Sequence, residues 1–160
     1  MATEKDRIKD IKGRFDESFA ALATAYTDMQ TLHKMYANKQ WSDKDASNSK
    51  KKNIPPLTYN FMKKNVDVMV GIQRQNKMAL KAFAEETGDN ISASIASILL
   101  HHSMRKGNGY TAASEAFKDV CIAGLSWLSP YIDFSKDAIN GEFKVICDST
   151  FDIFFDPSLK

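Results

Sequence analysis

The residues that could carry chemistry in this 160-residue chain do not form a recognisable catalytic motif. The sequence has no Gly-x-Ser-x-Gly element, no Walker loop, no dinucleotide-binding glycine pattern and no HExxH. His101 and His102 are adjacent, so on a regular helix their side chains would point about 100° apart and could not easily share one metal ion. Asp148, Asp152 and Asp156 recur every fourth residue, which surface turns explain better than a cation site does. We therefore expect no enzyme, no cofactor and no bound metal.

A second polar group occupies residues 73–77, where amide and cationic side chains follow one another and offer several directional hydrogen-bond donors. Arg74 could clamp a carboxylate of the same or a neighbouring subunit, or it could face DNA phosphate. Structural bracing is the interpretation we favour. The lysines at 50–52 could also bind phosphate, but a run of this kind is usually only solvated.

Composition limits the class of protein. The net charge is +2 and the pI is about 8.4, too balanced to indicate a nucleic-acid binder by itself. Cys121 and Cys147 lie far apart, which favours buried or free thiols in a reducing compartment. No apolar run is long enough to span a membrane, and the charged N-terminus lacks a signal core. We expect a cytoplasmic chain that forms one domain with a long appendage.

The first element that the sequence predicts is a long helix over about residues 3–38. Its apolar residues advance 28 positions in eight steps, a mean of 3.5, which is the period of a heptad seam. A helix of this length extends about 50 Å, too far to bury against a small core. We expect it to pack on a neighbouring subunit or to project, the alternative being a surface helix lying on its own core. The seam comprises Ile8, Ile11, Phe15, Phe19, Leu22, Tyr26, Met29, Leu32 and Tyr36.

The next segments alternate between polar and apolar character. Residues 42–53 have Ala46 as their one apolar side chain, and we predict a flexible linker there because nothing can be buried to offset the ordering entropy. A helix over about 59–73 should follow, capped by Thr58 or Asn60. Residues 78–84 alternate weakly and could form a short strand.

Two further helices are predicted, from about residue 91 to 106 and from about 110 to 124. The first should end at Gly107 with a left-handed cap, next to Arg105 and Lys106 at the negative helix terminus. It has one apolar face, with His102 at the edge of the core; the face consists of Ile91, Ile95, Ile98, Leu99 and His102.

Strands dominate the end of the chain. The period changes to two over residues 127–133 and 142–147, and Asn140-Gly141 between them is a strong hairpin-turn signal. Residues 151–155 could add another strand. Because helices come first and strands last, the fold class is α+β, with a long N-terminal helix, a helical middle and a small antiparallel sheet at the C-terminal end.

Five short motifs follow one another along the chain. The first is an aromatic element ending in Gln-Trp, at residues 35–41. The others are a Pro-x-Leu-Thr-x-Asn element, a valine-rich helix ending in Arg-Gln-Asn, an alanine-rich helix followed by an aromatic strand, and a closing Asp-Pro, at residues 55–60, 66–76, 110–127 and 152–157. In this order the motifs resemble the portal proteins of short-tailed phages, the P22-like ring proteins through which DNA enters and leaves the capsid, with Asn38 where that family usually has glycine.

The resemblance implies a structural subunit of a dodecameric ring at a capsid vertex. Its partners would be identical subunits, capsid coat and scaffolding proteins, the packaging motor and tail factors, and the double-stranded DNA passing through. The location would be the virion, and the host cytoplasm during assembly. Only the outward-facing, N-terminal wing region is matched, without stem or clip. The expected division is 1–41, the long amphipathic helix; 42–53, the linker; and 54–160, an α+β wing-like region.

We predict subunit or capsid contacts along the helix seam and in the motifs. The residues are Phe15, Leu22, Tyr36, Gln40, Trp41, Tyr59, Asn60, Gln73, Arg74, Gln75 and Asn76. Two alternatives stay open. One is a small freestanding DNA-binding or adaptor protein that uses residues 50–52 and 105–106. The other is a small hydrolase with a site near His102 and the aspartates of residues 148–156.

Overall fold

The computed structural model describes residues 4–76, 80–85 and 89–155 of the chain. Within these ranges there are five helices and one two-stranded antiparallel sheet, so the predicted α+β class is confirmed. None of the described helices is both long and apolar enough to cross a membrane. The elements in chain order are α1 (Glu4–Tyr36), α2 (Asp43–Lys51), α3 (Phe61–Gln75), α4 (Asn90–Lys106), α5 (Gly109–Ala123), β1 (Trp127–Asp133) and β2 (Glu142–Asp148).

The core is small and lies between α3, α5 and the C-terminal half of α1. Val66 and Val70 of α3 meet Ile122 of α5, and all three side chains are buried. Partly buried residues of α1, α3 and α5 pack around them, namely Leu32, Tyr36, Met62, Phe117 and Cys121. The long N-terminal helix is confirmed, but only its second half joins this core.

The region predicted as a flexible linker contains a helix that the sequence analysis did not foresee. Ser42 caps α2, because its hydroxyl oxygen accepts a hydrogen bond from the Asp45 N–H at 3.1 Å. Acidic residues lie in the first turn and lysines in the last, which suits the helix dipole. No residue of α2 is buried, so local hydrogen bonds and charge placement hold it rather than a core.

Gly107 separates α4 from α5, and its role differs from the prediction. Its φ is −84°, so the expected left-handed glycine cap is wrong, and Asn108 takes the left-handed conformation instead, with φ of 61°. A side chain at position 107 would collide with the carbonyl oxygen of Phe143. The Gly107 carbonyl also accepts a hydrogen bond from the Val145 N–H at 3.0 Å. Glycine is therefore needed because β2 approaches the corner between the two helices closely.

Strands β1 and β2 pair antiparallel, with Trp127 opposite Asp148 and Asp133 opposite Glu142. Both strands were predicted. The prediction of a tight hairpin turn at Asn140-Gly141 was wrong. Residues 134–141 form a longer connection, in which Gly141 has φ of +68°. The Asp137 carboxylate accepts N–H bonds from Ile139 and Asn140 and shapes this connection.

Two possible strands are not formed. Residues 80–84 have no strand pairing, while 77–79 lie outside the described residues. Residues 151–155 form a turn and an extended piece without strand pairing. There the Ile153 carbonyl accepts a hydrogen bond from the Tyr26 hydroxyl at 2.6 Å, and Phe154 packs on α1. Contacts with a helix thus replace a strand ladder.

Candidate subunit and capsid contact surfaces

The junction between α1 and α3 is held by one amide. The Asn60 Nδ2 donates to the carbonyl oxygens of Met35 and Tyr36 at 2.9 and 3.0 Å. Its Oδ1 accepts from the Lys63 N–H at 2.9 Å and so caps α3, which makes Asn60 rather than Thr58 the cap of the two candidates predicted. One side chain therefore ends one helix and begins the next. Asn60 acts within the chain, and its amide atoms are already engaged.

Tyr36 is likewise occupied inside the chain. Its hydroxyl donates to the Asp67 Oδ1 at 2.6 Å, and the Lys118 Nζ lies 5.0 Å from its ring centroid. The hydrogen bond to Asp67, together with burial and the charge of that carboxylate, raises the pKa of Tyr36 to about 12. Tyr36 therefore ties α1 to α3 and to α5.

Around this junction other side chains remain uncovered. The Trp41 Nε1 donates to the Thr58 Oγ1 at 3.2 Å, yet the tryptophan is 45% exposed. Tyr59 is 77% exposed, and Gln40 is exposed as well. We name Gln40, Trp41 and Tyr59 the junction patch. It has the aromatic and amide character that interface surfaces favour.

The polar cluster at the other end of α3 lies beside the beginning of α5. The Ser114 hydroxyl donates to the Gln73 Oε1 at 2.8 Å and ties the two helices together. An open cavity of about 370 Å³ is lined by Gln73, Arg74, Tyr110, Thr111 and Ser114. Arg74 is exposed and has no ion pair with another described residue. Gln75 and Asn76 are exposed too, while the last residue of the cluster, 77, is outside the described ranges.

Bracing by this cluster, the interpretation favoured from the sequence, has one structural counterpart in the Gln73–Ser114 hydrogen bond. Arg74 is different, since its guanidinium is free to meet a carboxylate or a phosphate from another molecule. α3 has 15 residues, so this cluster lies about 20 Å along the helix from Asn60. The predicted contact residues of the motifs thus fall into two separate groups.

The seam of α1 changes character along its length. Ile8 and Ile11 are more than half exposed. Phe15 and Phe19 contact Phe154 with ring centroids 4.8 and 5.9 Å apart, yet both remain about half exposed. From Leu22 onward the seam residues are half-buried or buried. The seam therefore runs from the core out to bare surface.

α4 exposes the apolar face that the sequence analysis assigned toward a core. Ile91, Ile95, Ile98 and Leu99 are all more than half exposed, and His102 is exposed beside them, not at a core edge. The helix packs through its small residues instead: Ala93, Ala96 and Ser97 are half-buried. The Ser97 hydroxyl donates to the Ala82 carbonyl and accepts from its N–H. The sequence feature that could have identified the packed side of α4 is this row of small residues, because small side chains let another backbone approach closely.

The residues considered for chemistry do not converge. Within the described part of the chain there is no group of three or more histidine, cysteine, aspartate or glutamate side chains placed to hold a metal ion. Asp148 is hydrogen-bonded by the Ser129 hydroxyl, and Asp156 lies outside the described residues. Cys121 and Cys147 are free, half-buried thiols.

The chain matches a known protein family. A family model described as phage P22-like portal protein matches residues 12–160, which is nearly the whole chain. No curated protein matches the chain. The match covers both ends of α3, the exposed face of α4 and the sheet. It agrees with the resemblance drawn from the five motifs.

Proposed function

Because the chain belongs to the phage P22-like portal protein family, we propose that it is the N-terminal, wing-like part of a structural subunit in a portal ring. The ring would stand at a capsid vertex, where DNA enters during packaging and leaves during ejection. In this role the chain works through contacts with identical subunits and with capsid proteins. It does not catalyse a reaction.

The observation that carries the proposal is the amount of uncovered surface. The chain exposes 12709 Å², whereas a folded monomer of 18.0 kDa is expected to expose roughly 8,000 Å². Many large apolar side chains on the helices are about half exposed or more, among them those of Ile8, Ile11, Ile91 and Ile98. Exposed apolar surface on regular helices marks places where other protein surfaces bind.

The two contact groups would have different tasks in a ring. The junction patch offers aromatic anchors, and a Trp or Tyr at the centre of an interface often contributes more than its neighbours. Arg74, at the far end of α3, has no ion pair among the residues that the structure describes, and its fork-shaped guanidinium suits a carboxylate of the adjacent subunit or of coat protein. Such rim charges fix orientation and partner choice more than they add affinity.

The proposal also places the protein in the virion, with assembly in the host cytoplasm. Scaffolding protein, the packaging motor and tail factors would be further partners of the assembled ring, and the double-stranded DNA would pass through it. These partners follow from the portal role and need binding experiments of their own.

Sedimentation velocity, mass photometry and negative-stain imaging of the purified chain test the ring. We expect species larger than a monomer that grow with concentration, and closed rings in the images. A matched pair of variants sharpens the result. Tyr59→Ser should reduce association, whereas Thr31→Ala, on an exposed helix position, should not. A chain that stays monomeric at every concentration would contradict the proposal.

A further inference from the structure

Two exposed apolar stripes of equal length lie on different helices. The α1 stripe consists of Ile8, Ile11, Phe15 and Phe19, and the α4 stripe consists of Ile91, Ile95, Ile98 and His102. Each stripe covers eleven residue steps, about 16 Å of helix. Within the described residues of one copy, α1 and α4 make no contact with each other. Among the described residues the two stripes therefore do not pack on each other; Phe154 contacts Phe15 and Phe19 of the α1 stripe, and both rings still remain about half exposed.

An antiparallel arrangement brings the two stripes into register. Their spacings are three, four and four residues in α1, and four, three and four in α4. When one is reversed, Ile8 faces His102, Ile11 faces Ile98, Phe15 faces Ile95 and Phe19 faces Ile91. The two rows have the same length, and because the α4 spacing of four, three and four reads the same in both directions, length and spacing allow packing in either direction.

Charges at the ends of the stripes favour this direction. One turn before Ile8, on the same face, stands Glu4, and one turn after His102 stands Arg105. The antiparallel register places Glu4 opposite Arg105. Neither side chain has an ion pair within the described part of its own chain. A parallel arrangement would instead place Glu4 at the α4 N-terminus and Arg105 beside Phe19.

We propose that the α1 stripe of one copy packs antiparallel on the α4 stripe of a second copy. This inference rests on the proposed ring, because a closed ring needs two different faces of the same chain to meet. The two stripes are different, of matched length and complementary at their charged ends. They account for surface that the isolated chain leaves uncovered.

Disulfide trapping between two differently tagged chains tests the register. In a background with Cys121 and Cys147 changed to alanine, one chain carries Ile11→Cys and the other Ile98→Cys. Packed helices bring facing Cα atoms close enough for a disulfide. We expect a mixed disulfide-linked dimer under mild oxidation. The control replaces Ile98→Cys with Ile72→Cys, a position on α3 that is also more than half exposed, and should give little product.

Charge exchange provides the second test. Glu4→Arg alone and Arg105→Glu alone should each weaken association about fivefold, and the two changes together in one chain should restore it. Ile98→Asp should weaken association at least about thirtyfold, since an aspartate would be buried in the apolar seam. Circular dichroism of each variant confirms that the helices are retained.

The outcomes separate the two proposals. Rings without a disulfide between positions 11 and 98 overturn the stripe pairing and leave the portal role intact. A chain that neither associates nor forms the disulfide overturns both. A disulfide between two copies of the Ile11→Cys chain, with none to position 98, shows a symmetric contact and overturns the proposed register.

Discussion

The two halves of α1 have the same spacing of apolar residues, but their apolar side chains differ in how far the rest of the chain covers them. Leu32 and Tyr36 pack on the core formed with α3 and α5, and Tyr26 is buried against Phe154. From Ile8 to Phe19 the same spacing leads to surface that is about half exposed or more. The periodicity of apolar residues shows that a helix has an apolar side. It does not show which molecule covers that side.

Polar side chains also differ between the packed part of the molecule and the exposed apolar stripes. In the packed region, the amide of Asn60 and the hydroxyls of Tyr36 and Ser114 each find a partner within the chain. In the bare region, Glu4 and Arg105 have no ion pair among the described residues. The bare half of α1 still contains one internal ion pair, Arg14 with Asp10 at 3.2 Å, so the contrast applies to Glu4 and Arg105 in particular.

The largest expected effect separates a packed isoleucine from a bare one. Ile122 is 4% exposed, so Ile122→Ala should lower the free energy of unfolding by about 3 kcal/mol through lost burial and a residual cavity. Ile95→Ala on the α4 stripe should change it by less than about 0.5 kcal/mol. Urea denaturation of dilute protein measures both. Equal losses for the two variants would show that the α4 stripe is covered within one copy.

Replacing a glycine with alanine should change stability in opposite directions at positions 107 and 13. Gly107→Ala places a methyl group against the Phe143 carbonyl, and the required shift should lower stability by about 2 kcal/mol. Gly13→Ala lies in the bare half of α1 with nothing near the new methyl group, so it should raise stability by about 0.5–1 kcal/mol. Thermal and urea unfolding of both variants check the signs. A loss of stability at position 13 would mean that α1 is more closely surrounded than the structure shows.

Much of the fold follows from the sequence because its signals are local. The helix period in α1, the cap at Asn60 and the period-two run of β1 each depend on neighbours in the chain, and all three are confirmed. Gly107 was correctly predicted to end a helix, but the predicted reason, a left-handed glycine cap, was wrong. The approach of β2, more than thirty residues away in the chain, decides its role.

The candidate site was less predictable, since burial depends on what packs where. Asn60 and Tyr36 were expected to contact another subunit, and the structure shows what each of them does inside the chain. The apolar face of α4 was expected to have His102 at the edge of a core, and the structure instead leaves that face and His102 exposed. Whether any of the predicted residues contacts another subunit or a capsid protein stays a prediction.

A smaller effect is expected where one amide joins two helices. Asn60→Asp keeps the acceptor that caps α3 but replaces the donor toward the Met35 and Tyr36 carbonyls with a second acceptor. We expect about 1–2 kcal/mol of destabilisation, the cost of carbonyls that lose a partner and face a negative charge. Asn48→Ala, on exposed α2, is the control and should be neutral. An unchanged midpoint for Asn60→Asp would assign this residue to contacts outside the chain.

The smallest expected effect is the pH dependence of stability that comes from the Tyr36 hydroxyl. Its ionisation reports whether the junction between α1 and α3 is intact. The hydrogen bond to Asp67 raises its pKa from 10.0 to about 12, so the folded state holds this proton more tightly than the unfolded state does. The stability that it contributes is complete below pH 10 and is lost as the pH rises toward 12. Because the group is largely solvent-screened, we expect less than about 1 kcal/mol. An absorbance titration at alkaline pH should show a tyrosine ionisation step near pH 12 that Tyr36→Phe removes. Asp67→Asn should move the step to lower pH, and a step that stays in place would show that Asp67 does not hold the hydroxyl in solution.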